Sequence, residues 1–94
     1  MKFLVEEFNQ ELEDSLRLKY EESILEVFEL NKDNVLKVID YLKDIGVNNI
    51  EELILYKLEF FTKDIDVIIK RFNEYNIGEV VDSINEDITN IDNI

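Results

Sequence analysis

The chain has 94 residues, with 23 acidic side chains against 10 basic ones, no histidine, no cysteine and no proline, and a formal net charge of -13. That charge opposes binding to phosphate backbones and anionic lipid, which need clustered Lys and Arg. The missing His and Cys remove the usual general base, the thiolate nucleophile and the common transition-metal ligands. A hydrophobic content of 46% is ordinary for a folded domain, so the acidity does not imply disorder.

Zero proline and two glycines in a chain rich in Ile, Leu and Glu point to an all-α protein, because a sheet needs turn punctuation that is absent here. The expected architecture is one helical domain over residues 1–94, a small bundle of five to six helices. A long N-terminal helical segment (1–30) precedes two stacked helix–turn–helix units (34–61 and 64–88) and a tail (89–94). No apolar run approaches the ~20 residues of a membrane span. The opening MKFLVEEFNQ does not read as a signal peptide, and the expected location is the cytoplasm.

In the first segment, apolar residues fall at Phe3, Leu4, Phe8, Leu12, Leu16, Tyr20, Ile24, Leu25, Val27 and Phe28. The step of about four fits one long helix or two joined near Lys19–Glu22, and Ser23 with Glu26 has capping-box spacing on the far side of that break. Asn31-Lys32-Asp33-Asn34 is made of turn and cap formers and reads as a loop, with Asp33 or Asn34 capping the next helix.

Val35, Val38, Ile39, Leu42 and Ile45 mark one face of that helix. Gly46 is placed to end it in the left-handed conformation, which would bring Val47 and Leu42 into the apolar contact of a Schellman motif. Asn49 and Glu52 form a capping-box pair at a second helix, which runs through Ile50, Leu53, Ile54 and Tyr56 towards Phe60 and Phe61. After Thr62-Lys63-Asp64, the face Ile65, Ile68, Ile69, Phe72 and Tyr75 predicts another helix, with Asn76 standing where Gly46 stood. A shorter helix through Val80, Val81 and Ile84 comes next, and the tail Ile88–Ile94 forms a last turn or frays.

An offset of 30 residues superposes Val35 on Ile65, Val38 on Ile68, Leu42 on Phe72 and Ile54 on Ile84, which suggests an internal repeat. Tyr41-Leu42-Lys43-Asp44-Ile45-Gly46-Val47, followed by Glu51-Glu52-Leu53-Ile54, resembles one repeat of the mitochondrial transcription termination factor fold. The resemblance covers residues 34–88 and is degenerate; a proline common in such repeats is absent near Leu58 and Glu59. It implies stacked units of two helices and a short 3₁₀ turn. The family's basic nucleic-acid surface has no counterpart in this acidic chain.

No Gly-rich phosphate loop is present, and Ser15, Ser23 and Ser83 have no base nearby in sequence. Carboxylates crowd the N-terminal segment at Glu6, Glu7, Glu11, Glu13 and Asp14, and recur at Asp64, Asp66, Glu86 and Asp87, without the ligand order of an EF-hand. The expectation is therefore a non-catalytic protein without cofactor or metal. Net charge is -6 over residues 1–34, -2 over 35–70 and -5 over 71–94; if the ends meet, they make one acidic surface.

Two functions fit. One is a small protein-interaction or regulatory module, with Tyr56, Phe60 and Phe61 as candidate docking residues and a basic protein surface or a second copy of the chain as partner. The other is a nucleic-acid mimic whose Glu6, Glu7, Glu11, Glu13 and Asp14 occupy the basic groove of a nucleic-acid-binding protein. Salt separates them, because charge-driven binding is screened and apolar docking is not.

Overall fold

A computed structural model describes residues 1–94 as seven α-helices and two 3₁₀ helices, with no strand. The helices are α1 (Lys2–Glu7), α2 (Gln10–Lys19), α3 (Glu22–Leu30), α4 (Lys32–Ile45), α5 (Ile50–Tyr56), α6 (Ile65–Asn73) and α7 (Ile77–Glu86). A first 3₁₀ helix, Leu58–Thr62, comes after α5, and a second, Ile88–Asn93, after α7. The fold is all-α as expected, and its helices outnumber the five to six expected from the sequence.

The N-terminal segment accounts for the excess. It is neither one helix nor two but three. Asn9 breaks it first, in extended conformation, accepting from the Leu12 amide at 2.9 Å as the cap of α2. The second break falls at Tyr20–Glu21, within the expected window, but Ser23 lies inside α3 and makes no capping box. The loop expected at Asn31–Asn34 contracts to Asn31, which ends α3 and starts α4.

Gly46 does what the sequence asks of it. At φ 103° it closes α4 in the left-handed region, and the Val47 and Gly46 amides donate to Leu42 and Lys43 carbonyls at 2.9 and 3.1 Å, the bond pair of a Schellman motif. Asn76 does not behave in the same way. Its φ is -74°, and it caps the start of α7 by accepting from Glu79, while α6 has already ended at Asn73. Asparagine is an even better N-cap than left-handed residue, so the early end of α6 left it to serve the following helix.

Two more asparagines leave their expected capping roles to tie layers together. Asn49 makes no capping box with Glu52; its amide donates to the Ile84 carbonyl on α7. Asn34 spans from α4 to the junction before α6: its amide donates to the Phe61 and Lys63 carbonyls, and its oxygen accepts from Ile65.

The chain forms three layers in sequence order. α1–α3 pack on α4, α5 and the first 3₁₀ helix, while α6 and α7 pack on the other side of α4. The terminal layers meet principally through the middle one. A helix–helix–3₁₀ order occurs twice, in the second and third layers. The 30-residue offset matches buried positions in both, including Val38 with Ile68, Leu42 with Phe72, Ile54 with Ile84 and Phe61 with Ile91. The core runs through all three layers, with Leu4, Leu16, Phe28, Ile39, Leu53 and Phe72 among its fully buried members. The tail is held: Ile91 is buried, Asp87 caps the last 3₁₀ helix through Thr89, and Lys57 reaches Asp92 at 2.7 Å.

Candidate functional site

Helix α3, ESILEVFEL, carries five apolar residues in nine. At 100° per residue they span an arc of roughly 220°, wider than the stripe one packing neighbour covers. Leu25 and Phe28 take the core. Ile24 and Val27 remain 45% and 54% exposed and Leu30 86% exposed, a ridge along one side of the helix.

A second wall faces that ridge. α5 stops at Tyr56, and the chain tightens into the 3₁₀ helix, whose three-residue turn puts Leu58 and Phe61 on one face. Both are buried, and their burial turns Glu59 and Thr62 towards α3. Between the walls lies a cleft of about 560 Å³, lined by Tyr20, Ser23, Ile24, Val27, Phe28 and Tyr56, with Leu58, Glu59 and Thr62 completing it. Phe28 and Leu58 form its floor.

Two of the polar side chains here already donate within the fold. Tyr20 donates its hydroxyl to the Leu55 carbonyl at 2.7 Å, and Thr62 donates to the Glu59 carbonyl at 2.8 Å. Burial, and secondarily the Glu59 carboxylate, pushes the Tyr20 phenol above its usual pKa. At the mouth, the Lys19 ammonium sits over the Tyr56 ring at 4.9 Å and the Tyr20 ring at 5.6 Å.

Of the candidate partner-binding residues Tyr56, Phe60, Phe61, Glu6, Glu7, Glu11, Glu13 and Asp14, only Tyr56 lies on this cleft. Phe60 and Phe61 are core residues, 6% and 0% exposed; their rings meet edge to face with centroids 5.8 Å apart, and Phe60 lies 6.4 Å from Phe72. They cannot present themselves to a partner without unfolding the middle layer.

The N-terminal carboxylates are also divided. Glu6, Glu11 and Asp14 are exposed, and Glu7 pairs with Lys43 at 3.3 Å. Glu13 turns inward: it accepts from the Met1 amine at 3.2 Å and from Arg17 at 3.0 Å, and the Arg17 bond holds its carboxyl below the usual range despite burial. No group of three carboxylates converges as metal ligands would, and no helix is long and apolar enough to cross a membrane.

Sequence reasoning missed Ile24, Val27 and Leu30. The signal was the width of the apolar arc on α3, which exceeds what one buried face requires. Comparison with protein families, with curated proteins and with solved structures finds no match to this chain.

Proposed function

We propose that this protein is a small helical interaction module that docks a protein partner in the cleft between α3 and the α5–3₁₀ segment, without catalysis. One observation carries the reading: this acidic chain leaves Ile24, Val27 and Leu30 exposed in one row beside an apolar-floored cleft, whereas its exposed Leu18, Val67 and Tyr75 stand singly and line no part of that cleft. Contiguous exposed apolar surface on a small domain marks an interaction site more often than scattered exposed residues do. The repeated helix–helix–3₁₀ order supports a stacked-helix scaffold of the kind the mitochondrial transcription termination factor resemblance implies, without that family's basic surface.

The nucleic-acid mimic draws on fewer carboxylates than the sequence offers, since Glu13 is neutralised within the fold and Glu7 is paired. The test is capture of binding proteins on wild type, Val27→Asp and Leu30→Asp at low and high salt. A partner retained in high salt by wild type and lost by both variants supports docking in the cleft. Equal capture by all three proteins refutes it, and capture abolished by salt alone moves the function to the acidic surface.

A further inference from the structure

We infer that the cleft receives an amphipathic helix of another protein, apolar along one face and flanked by Lys or Arg. The inference rests on the proposed docking function and specifies what docks.

Backbone chemistry selects a helix. A segment entering the cleft leaves water, and each of its N–H and C=O groups then needs a partner. The cleft supplies few. The Tyr20 and Thr62 hydroxyls have spent their protons and can only accept, no strand offers an edge for β-addition, and the other side-chain groups are the Ser23 and Tyr56 hydroxyls and the Glu59 carboxylate, too few to serve an extended backbone. An extended segment would bury unsatisfied groups, whereas a helix satisfies its own.

The geometry sets the spacing. The row Ile24, Val27, Leu30 covers six residues of rise, about 9 Å, which is close to two turns of a facing helix. The occupant therefore presents apolar side chains at i, i+3 or i+4, and i+7.

Charge selects the flanks. Glu59 stands on one wall. On α3, Glu22 and Glu26 are exposed one turn apart, just beyond the crest formed by Val27 and Leu30. Lys19 lies at one end of the cleft, against the tyrosine rings. An incoming helix thus meets carboxylates along both sides of its apolar face, complementary to Lys and Arg.

A second copy of this chain fits poorly. Its apolar residues exposed beside basic ones stand singly, Val67 near Lys70 and Arg71 on α6 and Leu18 between Arg17 and Lys19 on α2, and neither helix offers an exposed i, i+3/i+4, i+7 row. Two copies at -13 each also repel.

The test is selection of a displayed library of random 15-residue peptides against the full chain, keeping binders that Val27→Asp and Leu30→Asp lose. Circular dichroism verifies that each variant is folded; the 86% exposure of Leu30 makes its variant the safe one if Val27→Asp does not fold. The expected binders share the i, i+3/i+4, i+7 apolar spacing and net positive flanks. They weaken by about tenfold at low salt when Glu22, Glu26 and Glu59 are all changed to Gln. Cleft-dependent binders with alternating apolar residues, or with neutral or acidic flanks, overturn the inference while leaving the docking reading standing. Failure to recover any cleft-dependent binder removes both. A dimer in sedimentation that Leu30→Asp dissociates makes the second copy the occupant and overturns the inference.

Discussion

Replacing Asn34 by alanine tests whether that side chain is a cap or a tie between layers. Asn34 lies on α4, yet its oxygen accepts from the Ile65 amide at 3.0 Å and its amide donates to the carbonyls of Lys63 at 2.5 Å and Phe61 at 3.4 Å. Two good hydrogen bonds and one long one contribute roughly 1–3 kcal/mol net, against about 0.5 kcal/mol gained from alanine's better helix propensity. The expected loss is about 1.5 kcal/mol, or a fall in Tm of roughly 10 °C for a domain of this size. Thermal and urea melts followed at the helical circular-dichroism band measure it. Asn34→Asp keeps the acceptor for Ile65 but turns a carboxylate towards two carbonyls, so it should melt no higher than the alanine variant. A Tm for Asn34→Ala equal to or above wild type would refute the tie, because a solvent-facing Asn on a helix is improved by alanine.

The packing makes three further perturbations informative. Gly46→Ala should lose about 1–2 kcal/mol in the same melts. The added Cβ meets Val81 at an ordinary 3.6 Å, so the cost is the backbone at φ 103° and not a clash. Phe61→Ala should cost about 3–5 kcal/mol and unfold much of the population, whereas Tyr56→Ala should leave the fold intact, its ring being 53% exposed; comparable melting of the two variants would contradict their placement. Glu13 holds its carboxyl below the ordinary 4.5, chiefly through Arg17. Its contribution to stability is therefore complete above that value and is lost as pH falls through the lowered pKa. Glu13→Gln should narrow its gap to wild type on acidification, as read by urea midpoints from neutral pH down to the carboxylate range. A gap that widens as pH drops would reverse the sign and reject the ion-pair assignment.

Local chemistry with a single solution was legible in the sequence. Gly46 had one reading, because only glycine takes that φ at no cost and the apolar partners Leu42 and Val47 stood at the required offsets. Asn76 had two, since asparagine serves both ends of a helix, and the shorter α6 decided for the second. The break at Asn9 was hidden because Leu4, Phe8, Leu12 and Leu16 keep a four-residue step straight through it. The cleft was least visible. Periodicity identifies which residues of α3 are apolar, but whether Ile24 and Val27 have a neighbour depends on where the 3₁₀ helix after α5 sits. That position is set by the tertiary burial of Leu58 and Phe61. The aromatic cluster misled for the same reason: Tyr56 and Phe60 look equivalent on a continued helix, and the change of helical pitch at Lys57 separates them.

Layering by sequence order has a consequence for how the chain reaches this structure. Each layer packs on the one next to it along the chain, so most native contacts close short loops and little chain entropy is lost before contacts reward it. Helical proteins of such low contact order fold in microseconds to milliseconds. The usual sources of slower phases are missing as well, with no proline to isomerise and no cysteine to pair. Folding should run as one fast exponential, with the bond between Lys57 and Asp92, 35 residues apart, among those that close a longer loop.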